Sequence, residues 1–333
     1  MFKNLIFTVI IILFSCNVSK EDAKGNFNDI VILASKEDKY FLESIIDKYI
    51  FIDTLYTPEP EAVYNKIWIE PDDFIHYKNF SNIIIAAIDD PIDATLDLLI
   101  QQFEEKNSNY NYPIFLKDVH AKNQIITIIK EDNKNSFLNA IDFTFELLSN
   151  SLKNHINNLY FNRYQSHLMD TTLSDVVIKN FNIDIQIRDD FKLINSSITD
   201  TLKYMWLGRG DIYSENSLYQ WLLINSFNHN FKYDNYSLSN LIKNKMSIVN
   251  PQIEIINDLD KFAFYENNTH NVFIVNSLYN HKTYLTGGPL IAFIIENKSF
   301  EENLIIFGLV NAPGQSKLKA IKELESIILN SIF

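Results

Sequence analysis

The sequence predicts an α+β protein whose helices pack on mainly antiparallel sheets. Short apolar runs such as residues 82–88 have the length of buried strands. Ile183, Ile185 and Ile187 alternate with polar residues, which is typical of a half-buried strand. Over 135–167 the apolar residues instead recur every three or four positions, as on one face of a long helix. Because strands and helices are mixed along the chain and joined by short loops, α+β is the favoured class.

Residues 29–134 are expected to form an amino-terminal α+β half. Ser35 stands directly before a helical pattern that ends near Lys48, and its hydroxyl suits the N-cap position. A second helix is predicted over 92–106, and strands are predicted over 30–34, 51–56, 63–70, 82–88 and 124–129.

Residues 171–333 are expected to form a carboxy-terminal half with a similar architecture but no residue-level repeat. The long helix within 135–170 is expected to divide the two halves. Thr172 is predicted to open the next helix, with Asp175 three residues later in the capping-box position. Further helices are predicted over 237–249 and 316–332, and strands over 183–187, 202–207, 218–225, 262–264, 272–278, 290–295 and 304–310.

The amino terminus has the features of a lipoprotein signal peptide. Lys3 is positive, and residues 5–14 are an apolar run that as a helix would span about 15 Å, half of a bilayer core. The small residue Ser15 precedes Cys16, whose thiol would accept the diacylglycerol group. We therefore expect residues 1–15 to be removed and Cys16 to carry the lipid. The alternative is an ordinary secretory signal with an incidental cysteine.

Residues 16–28 are polar and show neither a helical nor a strand pattern. This composition predicts a flexible tether between the lipidated Cys16 and the folded body. Within it, the Ser19-Lys20-Glu21-Asp22 segment resembles a short signal that directs some Gram-negative lipoproteins to the cell surface. We expect a protein that is exported and anchored to the outer membrane, on its periplasmic face or at the cell surface.

The charge of the chain excludes some classes of partner. Its net charge is −13, and it becomes −14 once Lys3 leaves with the signal peptide. Binding to nucleic acid requires clustered Lys and Arg side chains, so no nucleic-acid partner is expected. Cys16 is the single cysteine, so the chain has no internal disulfide and no cysteine-based zinc site of its own.

No sequence motif of an enzyme or a metal site is present, so no cofactor and no metal are expected. The histidines lack the spacing of a zinc motif, and they are His76, His120, His155, His167, His229, His270 and His281. Adjacent carboxylates could supply a glycosidase pair, but their loop positions favour solvated turns, and they are Asp72-Asp73, Asp89-Asp90, Asp189-Asp190 and Glu301-Glu302.

Two short segments are candidates for a binding rim. Gly287-Gly288-Pro289 precedes the strand over 290–295, and Asn311-Ala312-Pro313-Gly314 follows the strand over 304–310. Successive glycines permit a positive φ, so both segments read as tight turns. If the two strands form an antiparallel hairpin, the turns adjoin on one edge of the sheet. The candidate rim then comprises Gly287, Gly288, Pro289, Asn311 and Pro313, with Trp206 and Arg209 nearby.

The mature chain resembles an uncharacterised family of Gram-negative lipoproteins that contain a domain of unknown function. The resemblance rests on Glu59-Pro60 before Phe74, Trp206-Leu207 before Arg209, Gly287-Gly288-Pro289, and the stretch 308–313 before the basic residue Lys317. The chain departs from the family pattern at Leu290, Asn311, Lys317 and Lys319. The resemblance implies an exported lipoprotein and carries no activity with it.

The sequence thus predicts a lipid-anchored cell-envelope protein, bound to the membrane through Cys16. The leading hypothesis is a non-enzymatic protein that binds an envelope protein or ligand. One alternative is an envelope hydrolase for glycan or peptide, with a carboxylate site assembled only in the fold. Another is a structural subunit of an envelope complex.

Overall fold

The structure is a computed structural model that describes residues 20–57, 59–88, 92–105, 112–210, 217–227, 234–266, 268–284, 286–298 and 302–332, without the side chains of 257–262. The expected signal peptide, Cys16, Asp89-Asp90, His229 and Glu301 lie outside the described residues. No helix in the described part has the length and apolar character needed to cross a bilayer.

The fold is α+β with mostly antiparallel strand pairing, as the sequence predicts. The chain divides into two compact units. Unit 1 comprises the described residues up to Glu43 together with Lys66–Leu148, and unit 2 comprises Ser44–Asn65 and the residues from Ser149 onwards. The division falls within the long helix expected over 135–167.

Unit 1 contains a five-stranded sheet in the order β4-β1-β5-β7-β6. The strands are β1 (Asp29–Leu33), β4 (Asn65–Ile69), β5 (Asn82–Ile88), β6 (Ile114–Lys117) and β7 (Ile125–Glu131). Its helical segments are the start of α1 (Lys36–Tyr49), the short α2 (Phe74–Tyr77), α3 (Ala94–Glu104) and the start of α4 (Lys134–Gln165). β5 is parallel to both β1 and β7, whereas β6 is antiparallel to β7. The two halves therefore share the plan of one main sheet with helices but differ in strand direction.

The tether expected over 16–28 is too long, because the chain is already bound to unit 1 from Glu21. The Ala23 amide donates to the Lys122 carbonyl at 2.9 Å, and the Lys122 amide donates to the Glu21 carbonyl at 2.8 Å. Lys24 likewise bonds the backbone of Asn79 at 2.8 Å. Backbone pairing does not need apolar side chains, so the polar composition of this segment gave no sign of it.

Unit 2 contains a seven-stranded antiparallel sheet in the order β11-β12-β13-β14-β10-β9-β8. The strands are β8 (Lys192–Ile198), β9 (Lys203–Gly210), β10 (Tyr219–Phe227), β11 (Ile253–Glu266), β12 (His270–His281), β13 (Gly287–Asn297) and β14 (Asn303–Asn311). Its helices are α5 (Thr171–Phe181), α6 (Asn235–Val249) and α7 (Leu318–Ile332), and β2 (Thr54–Leu55) pairs separately with β3 (Glu61–Ala62).

Helices cover both faces of this sheet. On the first face, α5, α7 and the segment 183–191 pack on side chains such as Leu207, Leu222 and Ile306. On the second face, α6 packs on side chains such as Leu223 and Phe307. The core strands β13 and β14 are therefore buried on both faces, which explains their nearly continuous apolar sequences.

Several predicted elements differ in the structure. Residues 183–187 are extended and bury the three isoleucines, but they pair with none of the described strands and pack directly under α5 and α7. Only Thr54–Leu55 of the strand expected over 51–56 exists. Helix α5 is capped by Asp170, whose carboxylate accepts the Leu173 amide at 2.9 Å, so Asp175 lies inside the helix. Strands β6 and β8 were missed, since neither has an alternating apolar pattern.

Candidate functional site

The two segments of the expected rim lie at the same end of the seven-stranded sheet. β13 and β14 pair antiparallel, with Leu290 opposite Leu309, so β13 starts at Gly287 at the end of the sheet where Asn311 ends β14. Tyr219 of β10 pairs with Asn311 on one side and with Gly210 on the other. The adjacency expected from the sequence is therefore present.

Gly287 and Gly288, however, do not form a turn. β13 already begins at Gly287, and neither glycine has a positive φ. The glycines allow close approach of the backbone instead. A Cβ on Gly287 would lie 2.5 Å from the Tyr279 carbonyl oxygen, and one on Gly288 would lie 2.1 Å from the Val310 carbonyl oxygen. The turn predicted there is wrong. Both glycines lie inside β13, where the carbonyl oxygens of the neighbouring strands leave no room for a Cβ.

The second segment does form a turn. Gln315 donates its amide to the Ala312 carbonyl at 3.2 Å, and Gly314 adopts a φ of +66°. Pro313 is exposed at this turn, and Asn311 is half-buried as the last residue of β14. The turn leads into α7, whose first amides are bound by the Glu61 carboxylate, at 3.0 Å from Lys317 N and 3.2 Å from Leu318 N. A carboxylate at this place satisfies amides that a helix start leaves free.

Trp206 and Arg209 project from β9 towards opposite faces of the sheet. Trp206 packs against the core of the second face, under α6. Arg209 follows Leu207 by two residues and therefore shares the first face, under α7. The expected rim is thus divided, because side chains an odd number of positions apart on a strand cannot share a face.

Arg209 belongs to a buried ion network rather than to an open surface. Its guanidinium donates to Glu323 Oε1 at 2.8 Å and to Gln220 Oε1. Arg188 donates to the same Glu323 oxygen at 3.2 Å and to Asp190 Oδ2 at 2.6 Å. The side chains of Arg188, Arg209 and Glu323 are only 13%, 10% and 9% exposed.

Aromatic rings close the network from the interior. The Arg209 guanidinium lies 5.2 Å from the centre of the Phe191 ring, and that of Arg188 lies 5.5 Å from the Tyr164 ring. The Tyr164 hydroxyl donates to the Gln186 carbonyl at 2.9 Å, and burial raises its pKa above the ordinary value for tyrosine. Two guanidiniums thus face two carboxylates. This balance makes the network a structural cluster and leaves no excess charge for a ligand.

The candidate carboxylate pairs occupy turns and surfaces. Asp72 and Asp73 are exposed in a short 3-10 helix, and Asp189 and Asp190 form an exposed turn. This matches the solvated positions expected of them. Asp190 additionally binds Arg188, which the sequence did not indicate.

A cavity of about 250 Å³ lies at the other end of the seven-stranded sheet. Its floor is apolar and includes Phe181, Ile295 and Leu304, and its rim includes Asp184, His270, Glu302 and Ser331. Glu302 is bound by Lys203 Nζ at 2.7 and 2.9 Å. Burial lowers the pKa of His270, so its imidazole is neutral at neutral pH. Among the described residues, no group of three His, Cys, Asp or Glu side chains is arranged to hold a metal ion.

An exposed edge of unit 2 is β8, a strand that the sequence did not reveal. Every residue of β8 is exposed except the half-buried Ser197. Leu193, Ile194 and Ile198 are 47%, 44% and 43% exposed. Among the strands that the structure describes, β8 pairs with β9 alone, so its outer backbone amides and carbonyls face away from the sheet. An edge strand of this kind is a template for pairing with another chain.

The geometry of β8 is set by its contacts with β9. A register shift between Leu193 and Asn195 marks a bulge, with Leu193 opposite Leu207 and Asn195 opposite Trp206. The bulge places Ile194 over the neighbouring strand, where Gly208 leaves the necessary space. A Cβ on Gly208 would lie 2.7 Å from Ile194 Cδ1 and 2.5 Å from the Tyr219 hydroxyl.

The opposite edge strand, β11, carries exposed charges as well as exposed rings. Its described side chains include Glu254 and Glu266 together with Phe264 and Tyr265, whereas residues 193–199 contain no charged residue. Charged side chains on an edge strand oppose pairing with a second strand. β8 therefore differs from β11 in carrying no charge over 193–199, which makes it the candidate interaction surface.

Comparison with known protein families found no matching family, and comparison with curated protein sequences found no match. The resemblance to the uncharacterised lipoprotein family stays a prediction.

Proposed function

We propose that the chain is a lipid-anchored envelope protein without enzymatic activity, and that it binds a protein partner by strand addition along β8. The observation that carries this proposal is the exposed edge strand β8, whose residues 193–199 carry no charge. In strand addition, backbone hydrogen bonds supply affinity while exposed side chains supply selectivity. Leu193 and Ile198 would be the apolar side chains that the partner covers.

The anchor complements this mode of binding. A chain attached through Cys16 moves in two dimensions, so a weak strand contact is strengthened by the high local concentration of a membrane-bound partner. The net charge of −13 opposes nonspecific attachment to anionic lipid, so the acyl chains would carry the attachment to the membrane.

Substitution of the apolar β8 side chains tests the docking strand. We expect Leu193→Lys and Ile198→Lys each to reduce capture of the partner from envelope extract by the lipidated protein, since charges block an edge strand. Leu98→Lys is the matched control, because Leu98 is 62% exposed on α3 of unit 1. Equal capture by all four proteins would contradict the proposal.

The anchor has a separate test. We expect Cys16→Ser to abolish incorporation of a tagged fatty acid and to leave the unprocessed precursor, because serine lacks the acceptor sulfur. Labelling of the variant at the wild-type level would exclude lipidation at this position.

The cavity supports a hydrolase as a second candidate. Asp184 and Glu302 are carboxylates on its rim, and the neutral His270 is in the state that a general base requires. If the protein released products from envelope glycan or peptides, Asp184→Asn and His270→Ala should each abolish the release. Release that survives both substitutions would exclude this cavity as the site.

A further inference from the structure

We infer that the partner on β8 is a second copy of this chain, paired antiparallel about a two-fold axis near Ser196. This inference rests on the proposed function and names its partner. It follows from the self-complementarity of residues 192–200, in face, charge and order.

The apolar side chains of β8 match under this symmetry. Leu193 pairs with Leu207 and Ile198 pairs with Lys203, and these two β9 residues are four positions apart on one face. Leu193 and Ile198 therefore share a face, although they are five residues apart, because the bulge adds one residue between them. An axis near Ser196 places Leu193 of each copy beside Ile198 of the other.

The charges at the two ends also match. Lys192 begins β8, and Asp200 lies just beyond its end, in the hairpin turn that the Thr199 amide closes on the Leu202 carbonyl at 3.0 Å. Lys192 Nζ donates to the Asp189 carbonyl at 2.8 Å, and neither Lys192 nor Asp200 has an ion pair with any residue that the structure describes. Antiparallel pairing brings Lys192 of each copy opposite Thr199 of the other, one residue from Asp200. Parallel pairing would bring lysine against lysine.

The intervening residues Asn195, Ser196 and Ser197 are small or polar and fit against themselves. They offer neither a pocket nor a charge that would select an unrelated strand. This edge has three apolar residues, Leu193, Ile194 and Ile198, and two opposite charges. Leu193 and Ile198 are symmetric about Ser196, and the two charges are symmetric about it to within one residue. A copy of the same strand is therefore the occupant with the best complementarity.

Cysteine cross-linking of the full lipidated chain in its membrane tests the pairing. Ser196→Cys places a thiol near the axis, within reach of its copy, and the only native cysteine is Cys16. With a mild oxidant we expect a reducible species of twice the monomer mass. Glu254→Cys, on the exposed edge of β11, is the control and should stay monomeric.

Charge reversal then tests the register. In the Ser196→Cys background, Lys192→Asp and Asp200→Lys should each lower the cross-linked fraction about tenfold, because each replaces two attractions by two repulsions. The double reversal should restore it. An insensitive cross-link would overturn this register.

The remaining outcomes separate this inference from the proposed function. Absence of the dimer, or an equal yield from Glu254→Cys, would overturn the second copy as partner. A cross-linked species of another mass, or capture of a different protein that Leu193→Lys abolishes, would overturn it too while leaving strand addition along β8 intact. Loss of both the dimer and all capture dependent on Leu193 would contradict the proposed function itself.

Discussion

The rim at Gly288 and the edge strand β8 belong to the same sheet, yet the residues of the rim are packed or hydrogen-bonded whereas those of β8 are exposed. At the rim, the glycines lie against backbone carbonyls, and Arg209 is bound by Glu323 and Gln220. Along β8, side chains and outer backbone groups are exposed and have no second strand beside them.

This difference separates residues that shape the fold from residues that are free to bind. Glycine, proline and arginine stand out in a sequence because few positions require them. Here the close approach of neighbouring strands requires Gly287 and Gly288, and a buried ion network requires Arg209. The strand with the least distinctive sequence is the one left open, so the distinctive residues were a poor guide to the binding surface.

The largest effect is expected at the rim, from Gly288→Ala. The new Cβ would lie 2.1 Å from the Val310 carbonyl oxygen, so the backbone of a central strand must shift. We expect a loss of about 4 kcal/mol or more in the free energy of unfolding, measured with urea. Gly314→Ala is the control. No atom lies within 4 Å of its Cβ, and only its φ of +66° opposes the change, by about 1 kcal/mol. Equal losses would contradict close approach as the reason for Gly288.

The next effect is expected from Glu323→Ala, which removes the carboxylate that Arg188 and Arg209 share. Two buried guanidiniums then retain only Asp190 as an acidic partner. We expect the free energy of unfolding to fall by about 3–5 kcal/mol, as in other broken buried pairs. Lys319→Ala, at an exposed position of the same helix, is a control that should cost far less. A small effect of Glu323→Ala would mean that the network is not structural.

Asn311→Ala should have a small effect on stability, within about 0.5 kcal/mol, because Asn311 is half-buried at the end of β14. It should also leave partner capture unchanged, since the rim is not the docking surface in this account. Reduced capture by a normally folded Asn311→Ala protein would return the binding site to the rim.

The smallest effect on stability is expected from Ile198→Lys, which replaces a side chain that is 43% exposed. Its free energy of unfolding should stay within about 0.5 kcal/mol of wild type. Since the same change is expected to disrupt association, stability and binding separate at this position. A strongly destabilised variant would mean that Ile198 supports the fold.

Much of the fold could be predicted from the spacing of apolar residues along the sequence alone. The strand over 82–88 and the helices near 135–167 and 237–249 are present within a few residues of their predicted bounds. Sequence patterns do not predict the elements that tertiary contacts determine. Ile183, Ile185 and Ile187 alternate because helices cover them, without a strand partner, and β8 forms by pairing with β9 despite its irregular pattern. The Arg188–Glu323 contact spans 135 positions, which no local pattern encodes.

Amide hydrogen exchange of the lipidated protein tests the central claim most directly, comparing liposomes crowded with the protein against highly diluted ones. Backbone amides over 194–198 should become protected at high density, while those of Gly287 and Gly288 should exchange equally in both. The charge-reversed Lys192→Asp protein should lose that protection. Protection that is independent of density along β8, or that appears at the rim instead, would contradict the account.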